Sequence, residues 1–223
     1  MIDNGIIKRH LVYLNEDLKD SWHERKRGVY HASSTGKCVR RNYFDWVHDV
    51  TPPASAYVHF ELGHRLEEVY LDALKYEFGD RFVKTDMPIC LEFDDFKIVG
   101  ETDPVVFDNN GEISQITEVK TTTNLKYTRK EPKQTHLYQT HCYMKALDQD
   151  SVTIVYICKR DLDSVTHTIE FDSDIWDDIV DRTETLHNAL ENEDPPDPVG
   201  PEGQDHFCDH SDMCCKEVYD AEE

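Results

Sequence analysis

Gly100-Glu101-Thr102-Asp103-Pro104-Val105-Val106-Phe107 runs into Asp108-Asn109-Asn110-Gly111-Glu112 and returns as Ile113-Ser114-Gln115-Ile116-Thr117-Glu118-Val119-Lys120. Apolar and β-branched residues dominate both arms, and Asn-Asn-Gly is a strong turn signal, so the stretch reads as two neighbouring strands. Glu118 and Lys120 are two apart and point to the same side of the sheet. Asp103 lies on the adjacent arm, so two carboxylates and an ammonium are aimed at one spot. Carboxylates are hard oxygen ligands suited to Mg2+ or Mn2+, ions that polarise a phosphodiester and acidify a bound water. A lysine beside them can orient that water and stabilise charge developing on phosphate. With 31 % of the chain charged, the same triplet also fits an ordinary salt-bridged strand face. Residues further out have to decide.

Working outward, residues 37–48 and about 54–79 read as helices. In the second, Leu62, Leu66, Tyr70 and Leu74 are spaced for one face, and Gly79 stops it. Phe82 to Phe93 and Phe96 to Phe107 read as strands joined by a tight hairpin at Asp94-Asp95. Ile113 to Lys120 is the next strand, and Pro132 suits the first turn of a helix running to about Leu147. Ser151 to Lys159 and Ser164 to Phe171 form a strand pair, and a helix follows from about Ser173 to Glu191. The order predicts an α/β fold, one mixed sheet flanked by helices. Glu193 to Gly203 carries Pro195, Pro196, Pro198 and Pro201 and reads as a linker. Residues 1–194 are therefore expected as the core, and 195–223 as linker plus a cysteine-rich C-terminal segment.

The 223 residues are enough for one substantial domain. Their 46 acidic and 24 basic side chains give a net charge of -22, while aromatics make up 10 %. Periodic apolar segments with that aromatic content indicate a folded domain with an acidic skin rather than disorder. Haloadaptation explains such a skin, because concentrated salt shortens the Debye length to ~3 Å and like charges then cost little. Nucleic-acid binding needs only a local cationic groove. Two basic stretches supply candidates: His23 to Arg41, with Arg40 among six cations, and Lys120 to Lys133, with Lys126, Arg129 and Lys130. The N-terminus lacks a secretory pattern. Val152 to Cys158, the strongest apolar run, is far short of the ~20 residues that span a bilayer. A cytoplasmic protein without membrane association is expected.

Three additions turn the triplet into a site. His64, beside Gly63 on the long helix, is placed to act as a third ligand. Gln139 and Tyr143, at i, i+4 spacing, share one helical face, with His136 a turn earlier. The third is order: His, Gly-Glu-x-Asp-Pro, Glu-x-Lys, then Gln-x-x-x-Tyr. That ordered set, over roughly residues 30 to 216, resembles the RecB-like branch of the PD-(D/E)XK, or restriction-endonuclease, superfamily. The resemblance implies a restriction-endonuclease-like fold and metal-dependent DNA hydrolysis. It implies metal binding by His64, Asp103, Glu118 and the Val119 carbonyl, and a catalytic Lys120. Gln139 and Tyr143, with Arg40, would support the site and contact DNA.

Of seven cysteines, Cys90, Cys142 and Cys158 lie in apolar segments and read as core, whereas Cys38, Cys208, Cys214 and Cys215 lie in polar contexts. One early thiolate joined to a C-terminal cluster could bind zinc or an iron–sulfur cluster. The arrangement is similar to that of the CRISPR-associated exonuclease Cas-four family and its iron–sulfur relatives, with one early cysteine and then Cys-x2-Cys-x5-Cys. Cys208-x5-Cys214 matches the last part, but the first position of that trio falls at Asp205. Asp205 or His206 then substitutes as ligand, or Cys215 takes the fourth place. The resemblance implies a 4Fe–4S cluster clasping the two ends of the domain, and a 5′-to-3′ exonuclease preferring single-stranded DNA. It would act in CRISPR spacer acquisition, or in recombination and end processing, beside CRISPR adaptation or recombination proteins. A non-catalytic DNA-binding or adaptor subunit that keeps the fold is the competing reading.

Overall fold

The computed structural model describes residues 26–48, 54–197, 208 and 210. After a short strand β1 (Val29–His31) come helices α1 (Val39–Val47) and α2 (Ala54–Phe78). Strands β2 (Val83–Lys84), β3 (Met87–Glu92), β4 (Lys97–Thr102), β5 (Val105–Phe107) and β6 (Ile113–Thr122) follow. Helix α3 (Gln134–Leu147), strands β7 (Ser151–Cys158) and β8 (Ser164–Glu170), and helix α4 (Ser173–Asn192) complete the order.

The turns close as their residues dictate. Phe93 N–H donates to Phe96 O at 2.9 Å across Asp94-Asp95, so β3 and β4 pair antiparallel. At the β5–β6 turn, Asp108 Oδ1 accepts from Asn110 N at 2.8 Å and Glu112 N at 3.0 Å. Gly111 there takes φ +84°, a left-handed conformation that glycine adopts without a Cβ clash. Helix α3 forms the crossover that lets β6 and β7 run parallel.

The single expected sheet is instead two. One has the order β1-β4-β3 and the other β2-β5-β6-β7-β8. Each of the long strands expected at 82–93 and 96–107 breaks in the middle. The first breaks at Thr85-Asp86, where Asp86 sits at φ +55°. The second breaks at Asp103-Pro104, because proline has no N–H for a ladder. After each break the chain moves to the other sheet. Strand β1 was not foreseen; it pairs parallel with β4. Cys90 also departs from expectation: the alternation of β3 turns Ile89 inward and leaves Cys90 exposed.

The main core joins both sheets to α3 and α4, through Ile89 and Ile98 on one side and Val105, Ile116, Tyr143 and Val152 on the other, with Ile179 from α4. Helix α2 covers the opposite face of the larger sheet, where Tyr70 packs on Val119, Val155 and Ile157. The site lies where α2 and α3 meet one end of that sheet. The C-terminal segment reaches α1: buried His210 bonds Asp45 Oδ1 through Nε2 at 2.8 Å and packs against Phe44. Cys38 is the residue before α1. Asp205, His206, Cys214 and Cys215 lie outside the described residues, and an iron–sulfur clasp is not seen among those described. No described helix is long and apolar enough to cross a membrane.

Candidate active site

The break between β4 and β5 is what delivers Asp103. Pro104 ends the pairing but still accepts from Thr117 N through its carbonyl at 2.9 Å. Two residues further along β6, Val119 N–H donates to Asp103 Oδ2 at 2.7 Å. The aspartate side chain is thereby pinned against the strand that carries Glu118 and Lys120. Lys120 Nζ lies 2.5 Å from Glu118 Oε1 as an ion pair. Glu118 is fully buried, and neither of its carboxylate oxygens has a hydrogen-bond partner of proper geometry.

Helix α3 supports this group from one face. Gln139 Nε2 donates to Tyr143 Oη at 2.6 Å, and Tyr143 Oη donates to the Glu101 carbonyl at 3.0 Å. The same hydroxyl borders Glu118. From the other face α2 brings His64 and Glu67. Gly63 faces β6, where a Cβ would stand in ordinary contact at 3.4 Å from Thr121 Oγ1. Between the helices opens a cleft of about 450 Å³, lined by His64, Glu67, Lys120, His136, Gln139 and Lys159 among others. Glu118 sits behind Lys120 rather than on the cleft wall.

Charge is concentrated here. Burial, first of all, pushes Glu118 up to about 7; Lys120 opposes that push and Asp103 adds to it. Burial likewise raises Asp103, against Lys120 and the Val119 amide. Burial and then Asp103 raise Glu67. For Lys120 burial acts downward, but the Glu118 and Asp103 carboxylates outweigh it and keep the ammonium charged. His136, pushed down to about 3 by burial and then by Lys120 and Lys133, is neutral; its Nδ1 lies 2.8 Å from Tyr156 Oη.

Do these residues fit a divalent cation? Among the described residues no three His, Cys, Asp or Glu side chains form a ready-made cluster that would hold one. The chemistry of the donors nevertheless fits. Three carboxylates are held above their ordinary range by burial, with Asp103 adding to Glu67 and Glu118 and Asp86 adding to Asp103, which is strain that a nearby cation relieves. Glu118 also presents two buried oxygens, and Lys120 pairs with only one of them.

Of the residues expected at the site, His64, Asp103, Glu118, Val119, Lys120, Gln139 and Tyr143 are brought together. Arg40 is not: it is 4 % exposed, donates to the Pro196 carbonyl at 2.5 Å and lies over the Phe44 ring. Glu67 and Lys159 escaped the sequence reading. Glu67 follows His64 by three, a spacing that shares a helical face, and that signal was available. Lys159 gave none, because only the register of β7 beside β6 brings it to the cleft.

Comparison with known proteins agrees with this architecture. A family model for the PD-(D/E)XK nuclease superfamily matches residues 21–215. The crystal structure of SSO0001 superposes with a TM-score of 0.66 at 19 % identity, covering 94 % of this chain and 96 % of that one. An alkaline exonuclease (LHK-Exo) from Laribacter hongkongensis gives 0.55 at 18 % identity, covering 78 % and 93 %. A phage related exonuclease from Haemophilus somnus 129PT gives 0.53 at 16 %, covering 79 % and 99 %. At such identities the likeness is one of fold. No curated protein matches the sequence.

Proposed function

The chain belongs to the PD-(D/E)XK nuclease superfamily, and from that premise we propose that it is a metal-dependent DNA exonuclease centred on Asp103, Glu118 and Lys120. One observation carries the reading. A fully buried glutamate is ion-paired with a lysine at 2.5 Å, beside a second, half-buried carboxylate, at the edge of an open cleft. A strand face that merely bridges salt would leave all three groups in water.

Asp103, Glu118, the Val119 carbonyl and His64 would hold Mg2+ or Mn2+. When bound, the ion supplies Lewis-acid polarisation of the phosphodiester and a water of lowered pKa. The chain's own groups do the rest. Lys120, kept charged by its carboxylate neighbours, holds the attacking water and neutralises charge gathering on the phosphate oxygens. Water adds to phosphorus as one ester P–O bond breaks, leaving a phosphate monoester and a hydroxyl, and the departing oxygen takes up a proton. Tyr143 and Gln139 hold the Glu101–Asp103 segment against Glu118, so the carboxylates do not reorganise during the reaction. Lys159 and neutral His136 border the path of the strand.

The finer reading is a 5′-to-3′ exonuclease of the Cas-four type acting on single-stranded DNA, in CRISPR spacer acquisition or in recombination and end processing. Its cytoplasmic protein would carry a 4Fe–4S cluster between Cys38 and the C-terminal segment. The docking of His210 on the helix that follows Cys38 supports a joining of the two ends.

The test is degradation of single-stranded DNA with Mn2+, in concentrated salt suited to a net charge of -22. Chelation should abolish it, and Glu118→Ala should lower it by roughly a thousandfold or more, the scale on which such charge stabilisation acts. Undiminished cleavage by Glu118→Ala would place the chemistry elsewhere. A wild type that binds DNA without cutting it would favour the adaptor reading. Broad visible absorption tests the cluster; colourless protein with stoichiometric zinc would reject it.

A further inference from the structure

A second cleft, of about 250 Å³, opens beside the first, lined by Lys126, Arg129, Cys158, Arg160, Asp161 and Asp163 among others. We propose that it is a binding site for single-stranded nucleic acid, in which Lys126, Arg129 and Arg160 hold the phosphates while Tyr127, beside Lys126 at its margin, stacks on an unpaired base. The proposal deepens the nuclease reading above and rests on it, because it extends the same strand beyond the reacting bond.

The aromatic comes first. Tyr127 is 76 % exposed, on a short turn of Leu125–Tyr127 whose backbone is fixed on several sides. Asn124 Oδ1 accepts from Lys126 N at 2.9 Å, and Leu125 O accepts from Thr128 N at 3.1 Å and Arg129 N at 2.9 Å. Leu125 itself is buried among Ile154, Tyr156 and Cys158. The ring is thus presented to water by a rigid seat and cannot fold inward without dismantling it. Lys126 Nζ stands 5.9 Å from the ring centroid, the pairing of cation and aromatic face that single strands use for phosphate and base.

The opposite wall is the β7–β8 turn. Cys158 N donates to Asp163 O at 2.8 Å, and Leu162 N to Cys158 O at 3.0 Å. Leu162, 60 % exposed, sits at φ +63°, a conformation that costs a non-glycine residue on the order of 1 kcal/mol. That turn projects Arg160 into the cleft. Its two aspartates oppose the three cations, but Asp161 is committed to the turn, accepting from Asp163 N at 3.3 Å. In a chain of net charge -22, three cations lining one cleft, with an exposed aromatic beside one of them, is a local concentration of positive charge.

Continuity settles which ligand this chemistry takes. Lys159 lines the active-site cleft and Arg160, the next residue, lines the second. Both clefts open where β6 and β7 end, joined by Lys159 N donating to Thr122 O at 2.8 Å. A strand with its phosphate at Lys120 therefore continues past Lys159 onto Arg160 and Tyr127. Within a duplex the bases cover one another, so only the terminal pair could offer the ring a face.

The experiment compares the full chain with Tyr127→Ala, Tyr127→Phe and Arg160→Ala on a single strand of about 20 nucleotides and on one of about 4, too short to reach both clefts. Tyr127→Ala should raise KM for the long strand roughly tenfold, with kcat and cleavage of the short strand unchanged and Tyr127→Phe close to wild type. Arg160→Ala should weaken the long strand and reduce the salt dependence of its binding. A long-strand KM within twofold of wild type for Tyr127→Ala overturns the proposal, as does an equal loss on both lengths. Fluorescence anisotropy without divalent metal separates this proposal from the nuclease reading. A wild type that cuts nothing yet binds single strands about tenfold better than Tyr127→Ala keeps the platform and loses the nuclease. Equal affinity of the wild type for duplex and single strand overturns the platform.

Discussion

Removing one oxygen at Tyr143 should cost the protein both stability and activity. Tyr143 is fully buried, and its hydroxyl serves two partners: it accepts from Gln139 Nε2 and donates to the Glu101 carbonyl. Glu101 stands opposite Pro88 in the β3–β4 ladder, and proline has no N–H to offer that carbonyl. Tyr143→Phe therefore strands the Glu101 oxygen of a part-buried bond, at about 1–3 kcal/mol. Gln139, 9 % exposed and on the cleft wall, can turn toward water, so its share is the lower end, about 1 kcal/mol. The total is about 2–4 kcal/mol, which in a chain of this length lowers Tm by roughly 5–10 °C. Differential scanning calorimetry reads the loss directly. Because Glu101 is two residues before Asp103, nuclease activity should also fall, by roughly tenfold at a temperature where the variant is folded. Gln139→Leu alone should cost about 1 kcal/mol, and the double variant about 1 kcal/mol less than the sum, since both changes delete one bond. A Tyr143→Phe protein that melts within a degree of wild type, or strict additivity in that cycle, would refute the reasoning.

Glu67→Gln should leave the fold intact but raise the Mn2+ concentration needed for half-maximal cleavage by on the order of tenfold, as loss of a carboxylate supporting a metal site does; an unchanged metal titration would remove Glu67 from the site. Gly36→Ala should destabilise by about 1–3 kcal/mol, measured by urea unfolding, because a Cβ there would stand 2.6 Å from Thr135 Cα at the start of α3. His136 gives the fold a pH dependence with a definite sign. Its folded pKa of about 3 lies below its ordinary 6.5, so the unfolded chain takes up the proton first, and the stability present above about pH 6.5 is lost as pH falls toward 3. Between pH 7 and pH 5 that amounts to about 1–2 kcal/mol, discounted for partial exposure. His136→Gln should lose correspondingly less over that interval, and equal losses in the two proteins would show that another group titrates.

Much of the local structure was legible because it is dictated locally. Asp94-Asp95 and Asn109-Asn110-Gly111 close the turns they suggest, and the four expected helices all form, within a few residues of their expected ends. Glu118 and Lys120 share a face through period-2 alternation, and the neighbouring arm brings Asp103 to them, although its place in a break between two strands was not legible. What could not be read depends on partners distant in the chain. The three residues of β1 become a strand only by pairing with Lys97 to Val99. Arg40 looked like a surface cation until Pro196, 156 positions later, took its guanidinium. The division into two sheets was written in Pro104, but a proline announces a break without saying where the chain goes next. Lys159 reaches the cleft through the β6–β7 register alone.

The bond from Val119 N–H to Asp103 gives that aspartate a second occupation. Where a continuous β5 would have supplied another backbone carbonyl to β6, the carboxylate stands in as the missing rung. Asp103 is therefore a splice in the sheet as well as an acid at the centre. Its replacement by alanine would unseat the end of β5 while removing a ligand, and lost activity alone would not tell the two apart. Asparagine keeps an oxygen for the Val119 amide and so separates the occupations. A descendant of this chain that had abandoned cutting DNA would still have a mechanical reason to keep an aspartate there. Lys120, whose side chain no rung of the sheet depends on, is the residue whose loss would betray the change.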